Sequence, residues 1–458
     1  MATDIVEDLT LQSIAIRARL PVFRTLVRVS GFLDLLRHNR NYRNCWLGQA
    51  VSEIGDHFNS VAVLSLALQL TGSGFTVGAV MIARVLPAVI AGPIAGVVLD
   101  RFDRRKVMIA SDILRCIVAL LHILLLTYRQ TWLLYTLSGL LMFASPFFNS
   151  GRSAILPRLA SREELHTANA LTQTTSWLTL SIGTLLGGVS TMQFGYKWAF
   201  FANALSFLFS AIAIGSLRSA DGHFRPDRSG AAKLRGSNFE DFREGLRYMS
   251  ARPLILGIGL LGVGWSTGGG AAQVLFTLFG EVVFKRGPAG IGLIWSFAGI
   301  GLVIGGIIGH RAGAKLGFTQ YKHVVTIAFF LHGLCYALFS LAPELWSAIV
   351  FIALSRVAMG MNSVLNRTML LLHVPDGLRG RVFTTVETMS NAVMMLSMGA
   401  AGVASTVYTP RQIGFVAGAL SASTAIFWAW ANAAGKLPEP EQDTEEPQHE
   451  FTEPVTPA

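Results

Sequence analysis

The stretch that decides the fold is Gly96-Val-Val-Leu-Asp100-Arg101-Phe-Asp103-Arg104-Arg105-Lys106, in which two acids and four bases fill seven positions. The apolar run before it, residues 75–99, contains a single charge, and the run after it, residues 107–127, contains two. At about 1.5 Å per residue, each run can cross a hydrocarbon core of roughly 30 Å as a helix. A charged cluster between two such runs predicts a tight turn that joins two membrane-spanning helices.

The composition extends this pattern to the whole chain. Hydrophobic residues make up 52% of the sequence and charged residues only 14%, whereas soluble domains are about one-quarter charged. Twelve apolar runs of about 20 residues are centred roughly at residues 57, 87, 117, 140, 181, 207, 266, 298, 332, 355, 394 and 421. The sequence therefore predicts an all-α membrane protein with twelve transmembrane helices.

The basic residues predict the orientation of these helices. If both ends of the chain lie inside, 29 of the 37 Lys and Arg residues fall on cytoplasmic segments, 5 on the opposite loops and 3 within spans. This asymmetry is the positive-inside signal of a multi-pass protein. We expect a protein of the plasma (bacterial inner) membrane with both termini in the cytoplasm. The net charge of +10 then reflects topology rather than nucleic-acid binding.

A polar, basic segment at residues 218–252 separates six spans from six. A weak repeat at an offset of 213 residues supports a duplication, because Asn149-Ser150 matches Asn362-Ser363 and Gly96 matches Gly309. We therefore predict two six-helix units, at residues 43–217 and 253–432, joined by a cytoplasmic linker.

The two ends of the chain differ from these units. Residues 1–42 predict a cytoplasmic N-terminal segment, which is either a basic helix on the inner leaflet or a partly ordered tail. Residues 433–458 are rich in Pro and Glu and predict a disordered cytoplasmic tail.

Charges inside the first two spans suggest proton coupling, because a charge in lipid is costly and marks function. Glu53 and Asp56 are three residues apart in the first span and share a helix face, and Arg84 lies at a similar depth in the second. Burial favours a neutral carboxyl and a nearby cation favours a charged one, so a carboxylate that exchanges its Arg partner can load and release a proton. A static ion pair between the two spans is the alternative.

Charges in later spans are harder to assign. Asp112 and Arg115, three residues apart near the cytoplasmic end of the third span, are expected to extend the charged turn. Arg356 in the tenth span either attracts an anionic substrate or neutralises Glu387 in the eleventh, and the sequence leaves both open. Glu387 is also a candidate for proton coupling.

Aromatic residues at mid-span suggest the walls of a substrate cavity. Together with Arg356, the candidates are Phe58, Trp177 and Trp265. Five glycines flank Trp265 between residues 262 and 270, and they predict a bent or interrupted seventh helix.

The pattern Gly-x-x-x-Asp-Arg-x-x-Arg-Arg at residues 96–105 resembles the signature loop between helices 2 and 3 of the major facilitator superfamily, a family of secondary transporters. The resemblance implies two six-helix pseudo-repeats around a central cavity. It also implies that Gly92 and Gly96 form a small face against helix 11, with Asp100 near the positive end of that helix. A latch across the two halves would then consist of these residues with Arg101, Arg104, Arg105, Asp112 and Arg115. The alternative is that the bases only anchor the topology.

A second stretch, Gly183-Thr184-Leu-Leu-Gly187-Gly188, resembles the Gly-Pro-x-x-Gly-Gly motif of exporters in this superfamily, with threonine in place of proline. Asn41-Tyr42-Arg43-Asn44 and Val374-Pro375-Asp376-Gly377 resemble a branch that contains the enterobactin exporter and macrolide-efflux proteins. The resemblance implies a proton-driven exporter of a small amphipathic molecule such as a drug, siderophore or other secondary metabolite. An importer or uncoupled facilitator of the same fold, or a non-transporting receptor, is the alternative.

Enzymatic chemistry has little support in the sequence. We find no nucleophile motif, no cluster of metal-ligating residues and no Gly-x-x-x-x-Gly-Lys-Ser/Thr loop. We therefore expect no enzymatic activity, no cofactor and no metal. The expected partners are a small-molecule substrate, the proton and the lipid bilayer, with no nucleic acid, and we expect a monomer.

Overall fold

A computed structural model of the chain describes residues 31–161, 163–219, 223–225 and 238–439. Its long helices, α1 to α12 in chain order, are Arg40–Thr71, Gly74–Arg101, Arg104–Tyr128, Thr131–Leu159, Glu164–Phe194, Tyr196–Gly215, Pro253–Val283, Gly287–Gly313, Phe318–Leu341, Leu345–His373, Asp376–Ala404 and Pro410–Ala433. A shorter helix, the linker helix, runs from Asn238 to Ser250. The described residues contain no strand, so the prediction of an all-α fold is confirmed.

Nine of the twelve long helices are apolar and long enough to cross a membrane by length and composition. The other three, α1, α5 and α11, have 32, 31 and 29 residues and are thus as long, but they are more polar. The twelve helices coincide with the twelve apolar runs of the sequence. Polarity is therefore concentrated in three helices, and two of the candidate carboxylates, Glu53 and Asp56, lie on the first of them.

The packing within α1–α6 is repeated within α7–α12. In the first group α1 packs on α5 and α6, α2 on α4, and α3 on α4 and α6. In the second group the same pairs recur six helices later: α7 packs on α11 and α12, α8 on α10, and α9 on α10 and α12. The main contacts between the groups, α5 with α8 and α2 with α11, are also related by this shift. The chain thus forms two six-helix pseudo-repeats.

Short turns place the helix ends at two faces. Turns at residues 102–103, 160–163, 314–317 and 374–375 lie on one side, the basic face, which is the predicted cytoplasmic side. Those at residues 72–73, 129–130, 195, 284–286, 342–344 and 405–409 lie on the other, the opposite face. Polar caps help to end the helices here. Asn39 accepts a hydrogen bond from the Tyr42 amide at the start of α1, and Gly72 ends that helix in the left-handed region (φ 65°).

The predicted segments at the chain ends and between the groups are described only in part. Residues 31–38 are helical, and Leu35 packs with Leu156 and Leu171 at the basic face. The linker helix lies on α11, where Arg381 donates hydrogen bonds to Asp241 and Glu244, each at 2.9 Å. The predictions for residues 1–30, for 220–222 and 226–237 of the linker, and for the tail from residue 440 onward lie outside the described residues.

Of the predicted bend or interruption in the seventh helix, the interruption is absent from the structure. The α-helical part of α7 continues from Pro253 to Leu278 and is followed by a π-turn at Phe279–Val283. Its glycines instead allow neighbouring helices to approach closely: a Cβ built on Gly268 would lie 2.7 Å from the carbonyl oxygen of Ala417. On α11, the Ser397 hydroxyl accepts a hydrogen bond from the Ala271 amide at 2.9 Å and donates one to the Thr267 carbonyl. The glycines thus serve helix packing.

Candidate functional site

A buried ionic cluster lies at the centre of the first group of helices. Arg115 on α3 lies between two carboxylates: its Nη2 contacts Asp112 Oδ1 on the same helix, and its Nη1 is 3.7 Å from Asp56 Oδ2 on α1. The guanidinium carbon also lies 4.9 Å from the ring centre of Phe148 and 4.4 Å from that of Phe207. Two rings and two acids therefore fix Arg115 in place.

This cluster corrects two predictions about pairing. Within the described residues the ion-pair partner of Asp56 is Arg115 rather than Arg84. Asp112 and Arg115 do not extend the charged turn but lie inside the bundle, with side chains 0% and 3% exposed. The reason is rotation about the helix axis: the face of α3 that carries Asp112 and Arg115 packs against α1, α4 and α6, whereas the turn begins a few residues earlier.

Asp56 differs from the rest of the cluster in its access to solvent. Its side chain is 23% exposed, but its Oδ1 atom is itself buried and has no hydrogen-bond partner among the described residues. A carboxylate with one oxygen near a cation and the other unpartnered is a group that can accept a proton. Asp112, fully buried on the other side of Arg115, lacks this access.

Glu53 has a different environment from Asp56. Its Oε1 accepts hydrogen bonds from Gln49 at 2.7 Å and Ser176 at 3.1 Å, and its Oε2 accepts one from Thr179 at 2.8 Å. Ser176 and Thr179 lie on α5, so these bonds tie α1 to α5. Glu53 therefore holds two helices together, while Asp56 faces α3.

Arg84, the predicted partner of Asp56, donates from Nη2 to the Ser60 hydroxyl on α1 at 2.7 Å. Its Nη1 is buried and lacks a hydrogen-bond partner among the described residues. The side chain thus joins α2 to α1 near Asp56, while leaving one donor unused.

The four candidate cavity residues do not form a single wall. Phe58 packs against Gly187 on α5, where a built Cβ would lie 2.8 Å from the Phe58 Cα atom. Trp177 on α5 lies against Gly306 of α8, across the two groups. The Trp265 ring packs on Gly269 of its own helix. Arg356 lies deep within the second group, and Glu387 is exposed on α11 without pairing with it among the described residues.

The charged turn at the basic face is held within the first group. Asp103 begins α3, and its carboxylate accepts hydrogen bonds from the amides of Lys106 at 3.1 Å and Phe224 at 2.9 Å. Burial of the Asp103 carboxyl opposes its ionisation, but these backbone N–H donors outweigh burial and lower the pKa of Asp103 below its ordinary value. Arg104 donates to the Ala154 carbonyl on α4 and Arg105 to the Leu217 carbonyl.

The predicted small face on α2 is open at Gly92. A Cβ built on Gly92 would meet no atom of the described residues within 4 Å. Gly96, Asp100 and Arg101 follow toward the basic face, where Asp100 and Arg101 are exposed. The contact of α2 with α11 lies at its other end: a Cβ built on Gly78 would be 3.1 Å from both Gly402 Cα and Met398 O. The expected contact of Gly92 with helix 11 is therefore absent from this conformation.

Other contacts between the groups also lie toward the opposite face. Ser65 on α1 donates a hydrogen bond to Glu281 at the end of α7 and bonds the Tyr196 hydroxyl at 2.8 Å. A Cβ built on Gly188 of α5 would lie 3.0 Å from Gly292 Cα of α8. These contacts join the groups near the opposite face. Toward the basic face α5 and α8 remain in contact where Trp177 lies against Gly306, whereas α2 and α11 are apart at Gly92.

The contacts of three charged residues were not evident from the sequence. Arg115 was assigned to the turn rather than to Asp56, because depth along a helix does not tell which way a side chain points. Glu281 lies four residues before Lys285, and no sequence motif singles it out. An aspartate just before the first helical residue is a recognisable N-cap, as Asp103 is. Its hydrogen bond to Phe224 joins residues 121 positions apart, and the sequence carries no signal for that contact.

The fold and the buried charges define a multi-pass integral membrane protein of the transporter type, and comparison with known proteins agrees. The family model of the Major Facilitator Superfamily matches residues 45–397, with a second match at residues 284–458. This chain therefore belongs to the Major Facilitator Superfamily.

Named relatives and a solved structure extend this result. The chain is 25% identical over 387 residues to the enterobactin exporter EntS of Salmonella typhimurium, covering 82% of this chain and 88% of EntS. It is 27% identical over 341 residues to BacE of Bacillus subtilis (strain 168), named as a proposed bacilysin exporter, covering 74% and 82%. A crystal structure of the nucleoside transporter NupG matches with a TM-score of 0.64 at 11% identity, over 85% of this chain and 98% of that chain. At this identity the NupG likeness concerns the fold alone.

Proposed function

We propose that this protein is a secondary active exporter of a small amphipathic molecule, such as a drug, siderophore or other secondary metabolite, driven by proton antiport. The relatives EntS and BacE, named for export of enterobactin and bacilysin, support the direction and the class of substrate. Each aligns with most of this chain. The transporter acts without enzymatic chemistry, as a monomer in the bacterial inner membrane, with both termini in the cytoplasm.

The observation that carries proton coupling is the unequal exposure within the Asp56–Arg115–Asp112 cluster. If the Arg115 side chain moved away from Phe148 and Phe207, it would also lose its contacts with both carboxylates. Asp56 is the partly exposed member. When Asp56 takes a proton, Arg115 retains Asp112, so the bundle avoids an unpaired buried cation. Release of that proton restores the 3.7 Å pair between α1 and α3, which links the protonation state to the packing of α1.

Alternating access follows from where the groups meet. In this conformation the two groups touch toward the opposite face at Gly78, Ser65 and Gly188, whereas α2 and α11 are apart at Gly92. This arrangement supports a cavity that opens toward the basic face, from which an exporter takes its substrate. The stretch from Gly183 to Gly188 lies where α5 packs on both α1 and α8: Gly183 faces His57, and Gly188 faces Gly292. From this location, the stretch can transmit a movement of α1 to the interface of α5 with α8. The charged turn and the small face of α2 are proposed to close the basic face in the alternate conformation.

The test uses inverted membrane vesicles with an interior pH dye and a panel of siderophores, macrolides and dipeptides. An exporter moves substrate into the vesicle and protons out, so adding a substrate to acid-loaded vesicles should raise the interior pH. Asp56→Asn, a mimic of the protonated state, should abolish this response but keep substrate–substrate exchange. The matched control Glu53→Gln, one turn away, removes a helix tie and should leave the response measurable.

The outcomes distinguish the alternatives. An unchanged pH response in Asp56→Asn would show that coupling passes through another group, such as Glu387. Substrate movement without any pH response would favour a facilitator, and loss of nutrient uptake on gene deletion would favour an importer, for which Thr184 in place of proline leaves room. No movement of any compound would favour a receptor.

A further inference from the structure

Arg356 is the most isolated charge in the membrane interior. It lies on α10, 11 residues from Leu345, or about 16 Å from the opposite-face end of the helix, and is only 7% exposed. Among the residues that the structure describes, no carboxylate oxygen lies within 4.0 Å of its guanidinium. The other two intramembrane arginines differ: Arg115 contacts two acids, and Arg84 bonds Ser60 near Asp56.

A buried cation without a counter-ion destabilises the folded protein, and in the membrane interior such a residue marks a functional site. The guanidinium carbon lies 5.4 Å from the ring centre of Phe276, which offsets a part of this cost. A static role in the fold would call for an acid at this place. Glu387, the candidate from the sequence, is exposed on α11 and does not pair with Arg356.

A second unused donor lies in the same aromatic group. The Tyr336 side chain on α9 is 1% exposed, and its hydroxyl has no hydrogen-bond partner among the described residues. The Tyr336 ring is tilted against Phe339 with ring centres 6.1 Å apart, and Phe339 meets Phe276 edge-to-face at 5.7 Å. His332, one turn away, is already occupied: its Nδ1 bonds Ser355, whose hydroxyl in turn donates to the His332 carbonyl.

We infer that Arg356 and Tyr336 form an anion subsite, which binds a carboxylate of the exported molecule. A planar guanidinium matches the two oxygens of a carboxylate, and a phenol adds a third donor. The neighbouring rings provide an apolar wall for the rest of the molecule, because Phe276 meets Trp295 edge-to-face at 5.0 Å. The inference rests on the proposed export function and narrows it: the substrate is an amphipathic anion with an aromatic or aliphatic body.

The experiment measures binding to the full-length protein purified in detergent, where neither export nor a proton gradient is needed. The probe is benzoate, with benzamide as the neutral analogue of the same shape, at constant sodium chloride concentration. Benzoate should raise the Tm of the wild type in a concentration-dependent manner, and benzamide should not. Arg356→Met should remove the difference. Tyr336→Phe should require about tenfold more benzoate for the same shift, as expected for the loss of one hydrogen bond to a charged group.

A second readout separates a ligand site from a structural role. Because Arg356 has no acid partner in the part of the chain that the structure describes, Arg356→Met should leave the Tm of the ligand-free protein unchanged or higher. The matched variant Arg115→Met removes the cation from between Asp56 and the buried Asp112 and should lower it. The inference would be overturned if benzoate and benzamide stabilised the protein equally, or if the benzoate effect survived in Arg356→Met. It would also be overturned if ligand-free Arg356→Met lost as much Tm as Arg115→Met. Benzoate binding without export in vesicles would instead count against the proposed function alone.

Discussion

Replacing Gly78 by valine should shift the protein away from the conformation described above. A Cβ at this position would lie 3.1 Å from Gly402 Cα and from Met398 O, and valine adds two further methyl groups against backbone that cannot move aside. Overpacking of this kind costs about 1–3 kcal/mol. The cost applies only while α2 and α11 touch at the opposite face. The ratio of the two conformations should therefore change by roughly 5- to 150-fold, with Gly78→Ala giving a smaller change in the same direction.

The assay is the labelling rate of a single cysteine by an impermeant thiol reagent on intact cells, in a background without Cys45, Cys116 and Cys335. Leu278→Cys is the reporter, because Leu278 is 3% exposed at the closed opposite face and lies beside Gly74. When the opposite face is closed most of the time, the labelling rate is proportional to the open fraction. Gly78→Val should increase it by the factor above.

Gly92→Val is the matched control on the same helix. A Cβ at Gly92 meets no atom within 4 Å, so the variant costs nothing in this conformation. If α2 closes on α11 at Gly92 in the alternate conformation, Gly92→Val should slow the labelling of Leu278→Cys. Equal labelling rates in the two variants would refute the reasoning, because they would show that neither end of α2 senses the conformational change.

Two further predictions concern the basic face. Asp100→Asn and Arg101→Ala should slow transport in vesicles while the protein still folds and inserts into the membrane, and normal transport in both variants would reduce the turn to a topology anchor. Arg104→Ala and Arg105→Ala should lower the Tm, since these arginines donate hydrogen bonds to the carbonyls of Ala154 and Leu217. The orientation can be tested with single cysteines and an impermeant thiol reagent on intact cells. Cysteines on the opposite face, at Ser73, Gln130, Gly195 and Thr409, should react, and those on the basic face, at Asp103, Ser161 and Asp376, should not. Labelling of any basic-face cysteine would contradict the predicted orientation.

Much of the fold was accessible from the sequence because the bilayer imposes a simple code. Apolar length predicts the helices, and the charged turn after Asp100 predicts where two of them meet. The code weakens where helices face polar neighbours. α1 carries Glu53 and Asp56 in mid-helix and falls short of the apolarity of a typical span, yet it belongs to the bundle because its partners satisfy those groups.

The pairing of the site residues could not be predicted in the same way. Arg84 and Arg115 lie at comparable depths relative to Asp56, and only the rotation of α2 and α3 about their axes decides which one faces it. The small face at Gly92 illustrates a second limit. A sequence motif summarises contacts made in every conformation of a transporter, whereas one structure shows the contacts of a single conformation, here those at Gly78.

The two groups share their packing pattern but not their charges, and this difference has a consequence for coupling. Within the membrane the first group carries three carboxylates, Glu53, Asp56 and Asp112, and two arginines, whereas Arg356 in the second group is buried without an acid among the described residues. A proton is then best bound in the first group and an anion in the second. Because these sites lie in different groups, a proton at Asp56 can affect an anion at Arg356 through the contacts between the groups, of which the interfaces of α5 with α8 and of α2 with α11 are the main ones. Variants at Gly188 or Gly78 should therefore uncouple proton movement from substrate movement while leaving benzoate binding at Arg356 intact.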